Sequence, residues 1–163
     1  MKNEAPYILE WVAYHRAIGF ENILIYTNDN SDKTVELLSK LDIFPWFNWQ
    51  ENKIAEGESP QIKAFSDAFQ RLKDTGSWVL VCDADEFFVL EAGLDLQQFI
   101  SKHSEADCIS VYWKVFGSSG QKKKEPGLII ERFQSCAIPE HKTSEIFKSL
   151  TKMVGFWSGL GLH

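Results

Sequence analysis

Hydrophobic and polar positions follow two patterns along the chain, a period of about 3.6 residues and short unbroken apolar runs, and the switches between them predict its elements. Ile8, Trp11, Val12, His15 and Ile18 recur at helical spacing. They predict a first helix that Asn3 caps, Glu4 and Pro6 begin, and Gly19 stops. Asn22 to Tyr26 reads as a short buried strand, followed by the turn formers Thr27-Asn28-Asp29-Asn30-Ser31-Asp32. Asp32 or Ser31 caps a second helix through Leu41. Phe44 to Trp49 is a further extended segment, which Pro45 marks as an edge or irregular strand. Pro60 opens a helix that carries Ile62, Phe65, Phe69 and Leu72 on one face and ends near Gly76. Trp78-Val79-Leu80-Val81-Cys82 is an apolar run of the kind buried on both faces of a parallel sheet. Asp95 caps a helix with Leu96, Phe99 and Ile100. Cys108–Trp113, Leu128–Phe133 and Phe147–Met153 read as strands. Alternating strands and helices predict one α/β domain over residues 1–163, a sandwich with a mainly parallel central sheet flanked by helices.

Composition narrows the possible partners. A chain of 163 residues is long enough for one hydrophobic core, and its net charge of −6 argues against nucleic acid or an anionic membrane as partner. Lys122-Lys123-Lys124, followed by Glu125-Pro126-Gly127, reads as a solvated loop. Cys82, Cys108 and Cys136 show no metal or redox spacing, so they are expected to be reduced and mostly packed. No apolar stretch reaches the roughly 18 residues of a membrane span, and the chain opens with no signal-like segment, which makes the cytoplasm the expected compartment.

The chemistry concentrates after the apolar run, at Asp83-Ala84-Asp85-Glu86-Phe87-Phe88. Ligands of open parallel sheets bind beyond the carboxyl ends of the strands. On an extended chain Asp83 and Asp85 point the same way, and two carboxylates aimed at one point call for a hard divalent cation such as Mn²⁺ or Mg²⁺. The Thr27–Asp32 loop also follows a strand and precedes a helix. A plain turn and a nucleotide-contacting loop both fit it. Tyr112, Trp113 and Phe116 fit either sugar stacking or core packing.

Several segments, in order, resemble bacterial family 2 glycosyltransferases of the branch reading Asp-x-Asp-Glu-Phe. They are Lys2-Asn3-Glu4 with Glu10-Trp11; Tyr26-Thr27-Asn28-Asp29 with Ser31-Asp32 and Thr34; and Asp83-Ala84-Asp85-Glu86-Phe87. Trp113 with Phe116-Gly117-Ser118-Ser119-Gly120, Glu131-Arg132-Phe133, Lys148-Ser149-Leu150 and His163 complete the set. The resemblance implies a GT-A (Rossmann-like) fold, a nucleotide-sugar donor of the UDP type, a glycan or other hydroxyl acceptor, and Mn²⁺ or Mg²⁺. It implies metal ligation by Asp83, Asp85 and a late histidine, His163, and donor contacts from Glu4, Thr27, Asn28, Asp29, Asp32 and Asp83. Relatives of that type carry a strand before Lys-Asn-Glu and continue past the last histidine. A chain shortened at both ends, without its first strand, is therefore expected.

In an inverting transfer the acceptor hydroxyl needs a general base, usually a carboxylate. Glu131 is the candidate, on the expectation that it is buried beside the Leu128-Ile129-Ile130 strand. Pairing with Arg132 or a surface orientation explains it equally well. Glu86 is the second candidate, or an organiser of the metal loop. Lys148 is placed to add positive charge near the diphosphate, or else is simply solvated. Two rivals stand beside this reading: a non-catalytic remnant that binds nucleotide weakly, and a Mg²⁺-dependent phosphatase of the haloacid-dehalogenase kind. The second expects Thr or Val where Phe87 stands.

Overall fold

The computed structural model describes residues 1–123, 126–138 and 145–160. Helix α1 (Ile8–Ala17) buries Ile8, Trp11, Val12 and His15, the stripe read from the sequence. It starts later than expected, because Asn3 is not its cap. Asn3 has φ 59°, its backbone N–H donates to Asn30 Oδ1 at 2.8 Å, and its Oδ1 accepts from Ser31 N at 2.7 Å. Glu4 to Tyr7 form a turn closed by Tyr7 N–H on Glu4 O at 3.0 Å. Gly19 ends the helix with φ +113°, and a Cβ there would lie 3.2 Å from Leu96 Cβ, so glycine meets both a conformational and a packing requirement.

Strand β1 (Ile23–Thr27) pairs in parallel with β2 (Phe47–Glu51), which sets Ile23 beside Phe47 and Thr27 beside Glu51. Helix α2 (Thr34–Leu41) makes the crossover. Its N-cap position falls at Lys33, not at the expected Asp32 or Ser31, and Asp32 Oδ1 accepts from Thr34 N at 2.9 Å in the turn just before it. Helix α3 (Pro60–Leu72) follows, with Ser59 as N-cap and proline in its first turn. Ile8, Trp11, Val12, Ile23, Ile25, Leu38 and Phe47 form the main core. Around Asp67 a polar knot joins β1, β2 and α3. It accepts from Tyr26 Oη at 2.5 Å and Gln50 Nε2 at 3.1 Å and pairs with Arg71 Nε at 2.8 Å. On the other edge of β1, Met1 N donates to Tyr26 O at 2.7 Å and Asn28 N to Met1 O at 3.2 Å.

The second sheet overturns the mainly parallel arrangement. Strand β3 (Trp78–Leu80) and β4 (Cys108–Tyr112) flank β5 (Phe147–Lys152), and both pairings are antiparallel. Between β3 and β4 lies helix α4 (Leu96–Lys102), started by a capping box of Asp95 and Gln98. Phe88, Leu96 and Leu150 centre a second core. The run read as a strand buried on both faces is only half-buried from Trp78 to Leu80. Leu128–Phe133 is not a strand either. Ile129–Arg132 form a single-turn helix, α5, with no buried side chain. A run of three apolar residues, Leu128-Ile129-Ile130, fits strand or helix equally, and among the described residues no neighbouring strand pairs with it. All three cysteines are free, but Cys108 and Cys136 are exposed, against the expectation that they pack. Among the described residues no helix is long and apolar enough to cross a membrane.

His15 fastens α1 to the segment after β3. Its Nδ1 lies 2.8 Å from Trp11 O, and its Nε2 accepts from Phe88 N at 3.4 Å. One nitrogen donates and the other accepts, so the ring is neutral in the fold, and burial pushes its pKa below the usual 6.5. The unfolded chain therefore takes up the proton first on acidification. The stability from this contact is fully present above pH 6.5 and falls as pH drops through the folded pKa. Urea midpoints measured from pH 8 to pH 5 are expected to fall in wild type and to fall less steeply in His15→Gln.

Candidate active site

The acidic stretch sits on a turn, not on the strand. Strand β3 stops at Leu80, and Glu86 N–H donates to Asp83 O at 3.1 Å while Glu86 Oε2 accepts from Asp83 N at 2.9 Å. The backbone reverses across Ala84 and Asp85, so strand alternation does not set the directions of Asp83 and Asp85, contrary to expectation. The turn is held from α1: Trp11 Nε1 donates to Glu86 O at 2.9 Å and Tyr14 Oη to Phe88 O at 3.2 Å. Cys82 Sγ lies 3.3 Å from Glu86 O, and burial drives that thiol pKa far up, which leaves it protonated.

Lys148 supplies the countercharge. It lies on the middle strand, β5, where Lys148 and Leu150 share the inward face. The register that sets Leu80 beside Leu150 carries Lys148 to the end of β3. Its Nζ is 3.2 Å from Asp83 Oδ2 and 3.1 Å from Glu86 Oε2, with the Trp113 ring centre 5.4 Å away. The lysine side chain is 8% exposed, Glu86 20% and Asp83 56%. A solvated lysine, the alternative left open for Lys148, does not describe it. Asp85 is exposed and makes no hydrogen bond or ion pair among the described residues.

Glu4 joins the turn to the rest of the site. Burial raises its pKa, and the neighbouring charges of Asp85, Asp32 and Asp83 push the same way. Segments far apart in sequence thus meet at one end of the molecule: residues 1–5, the loop after β1, and the turn after β3. Within that loop the candidates divide. Thr27 is fully buried, and its Oγ1 bonds Met1 O at 3.2 Å and Asn30 Nδ2 at 2.6 Å. Asp32 accepts from Ala5 N at 3.1 Å as well as from Thr34 N. Both shape the loop. Asn28 and Asp29 remain outward, with Asp29 at φ 47° and 3.9 Å from Lys2 Nζ.

Glu131 lies elsewhere. It is exposed on α5, not buried, which removes the reason for expecting a shifted carboxylate there. No hydrogen bond or ion pair among the described residues joins it to Asp83, Asp85 or Glu86. His163 lies outside the described residues. Among the described residues no three His, Cys, Asp or Glu are preassembled around a metal position. The available donors are carboxylate oxygens, which suit Mg²⁺ or Mn²⁺ and not a soft metal. The sequence reading missed Tyr14, and it named Glu10 within a resembling segment without giving it a role. On α1 the polar tips of Trp11, Tyr14 and His15 follow one another at i, i+3 and i+4, and that stripe was the available signal.

The glycosyltransferase family 92 model matches residues 2–154. The chain belongs to glycosyltransferase family 92. The expected glycosyltransferase ancestry holds, while its placement in bacterial family 2 gives way to family 92. Family 92 relatives include proteins of Ricinus communis, 29% identical over 75% of this chain, and Arabidopsis thaliana, 30% identical over 71%. One from Oryza sativa subsp. japonica is 27% identical over 76%. The aligned part makes up 22%, 20% and 21% of those proteins, so the chain spans about a fifth of the length of its family 92 relatives. No solved structure matches the chain.

Proposed function

We propose that this chain forms the donor-binding part of a metal-assisted glycosyltransferase, in a GT-A-type frame. It would transfer a sugar from a UDP-sugar to a hydroxyl of a glycan, with inversion. The observation that carries the reading is the convergence of Asp85, Asp83 and Asp32 on Glu4. It gathers the loop after β1 and the turn after β3 at one end, where a nucleotide diphosphate needs both a polar cradle and charge control. Membership of family 92 supports the reaction class.

Each residue then has a distinct task. Asn28 and Asp29, on the loop that Thr27 and Asp32 shape, are placed to contact base and ribose. Asp83 and Asp85 would hold Mn²⁺ or Mg²⁺, leaving positions for phosphate oxygens. When bound, the ion neutralises the leaving diphosphate as a Lewis acid. Lys148 pairs with Asp83 and would add positive charge where the leaving group departs. Glu86 is engaged by Asp83 N and Lys148, which favours an organising role for it over that of base. Glu131 is open to solvent, and in this reading it would take the acceptor's proton.

Calorimetric titration of the protein with UDP tests the reading. Binding in the presence of Mn²⁺ that disappears with EDTA is the expected result. Binding of equal strength in EDTA would remove the metal from the mechanism.

A further inference from the structure

Helix α5 is too short to hold itself. One turn leaves its first amides without partners inside the helix, and its N-cap Leu128 offers no side-chain acceptor. Hydrophobic packing does not fix it either, because no α5 side chain is buried. Its amides go instead to α1. Glu10 Oε2 accepts from Ile129 N at 2.8 Å and Glu10 Oε1 from Ile130 N at 3.1 Å. Both carboxylate oxygens are used, in charge-assisted bonds that also suit the positive end of a helix turn. A second tie to an α5 backbone group is lighter: Gln121 Nε2 donates to Arg132 O at 3.3 Å.

Trp11, the next residue of α1, donates to Glu86 O. Adjacent residues of one helix therefore hold the acidic turn and the segment bearing Glu131, and the spacing between these two parts is set on α1. We propose that Glu10 is a positioning residue that places Glu131 relative to the Asp83–Glu86 turn. It serves the acceptor step and leaves donor binding untouched. This rests on Glu131 as the base in the function proposed above.

The experiment compares wild type, Glu10→Ala, Glu10→Gln, Glu131→Gln and the double variant Glu10→Ala/Glu131→Gln. Hydrogen exchange at the Ile129 and Ile130 amides should be at least about tenfold faster in Glu10→Ala, and unchanged exchange would overturn the anchoring. Release of UDP from UDP-glucose or UDP-galactose, with methyl glycosides as acceptors, gives the rates. Glu10→Ala is expected to lower kcat by about tenfold at unchanged donor KM, and Glu10→Gln, which keeps one acceptor oxygen, to recover part of it. A matching loss of donor affinity would overturn the proposal. The double variant should be no slower than Glu131→Gln, and an additive loss counts against action through Glu131. Wild-type rates in Glu131→Gln, or no UDP release by wild type, would instead sink the underlying function and this proposal with it. Those two signatures are separate from the Glu10 outcomes.

Discussion

Asp85→Ala is expected to lose UDP binding in Mn²⁺ by roughly 100-fold or more while melting at the wild-type temperature, since a metal ligand contributes several kcal/mol of charge stabilisation. The separation of binding from stability makes Asp85 the right residue to change. Its carboxylate is exposed and has no hydrogen bond or ion pair among the described residues, so its loss leaves no orphaned partner. Removing it also relieves Glu4, whose pKa its charge helps to raise. Any effect on the fold should therefore be neutral or favourable. Asp83 would be a poorer probe, because the buried Lys148 ammonium pairs with its carboxylate. Calorimetry on both proteins gives the answer. Equal affinity would show that Asp85 is no ligand, and absence of binding by both would leave a chain that holds no nucleotide.

Lys148→Met is expected to show the opposite profile, a loss of stability before any loss of chemistry. The ammonium is buried between Asp83 and Glu86, and removing it leaves two carboxylates facing each other with water reaching mainly one. Breaking a buried pair costs about 3 to 5 kcal/mol when both partners are enclosed, and the exposure of Asp83 reduces the expectation here to about 2 kcal/mol. Urea denaturation at pH 7.5 measures it. Adding Glu86→Gln to Lys148→Met should restore part of the loss, because the second negative charge is then gone. A Lys148→Met protein as stable as wild type would mean that the pairing contributes nothing to the fold. UDP binding should also weaken in Lys148→Met, through the missing positive charge.

Local signals in the sequence carried the reading as far as local interactions decide the structure. Asp95 as a cap, Pro60 as a helix start, and the stripe on α1 all reappear in the structure, since each depends on residues a few positions apart. The short run at Ile23 and the turn formers after it likewise predicted β1 and its loop. What failed depended on distant partners. Nothing near Trp78 says that its neighbour is Lys152, arriving antiparallel from the far end of the chain. The reversal at Ala84 and Asp85 depends on Glu86 folding back onto Asp83 N, and only a strand running on through Asp85 would have kept the alternation. Leu128–Phe133 became a helix turn because Glu10, 119 residues away, accepts from Ile129 N. The structure pairs Lys148 with Asp83 and sets the charges of Asp83 and Asp85 against Glu4. Their division into paired and unpaired charges was not legible.

The position of β5 has a further consequence for how the protein comes into being. Strands β3 and β4 bond to β5 and not to each other, so each waits with an unpaired edge until residues near 150 are available. The parallel pair and its crossover helix can form from the first half of the chain. Pairings of long sequence separation are slow to close, and open edges in the interval invite wrong partners. During synthesis the surroundings of Asp83 and Glu86 are therefore late to acquire their shape. Their countercharge, Lys148, arrives on the very strand that completes the sheet.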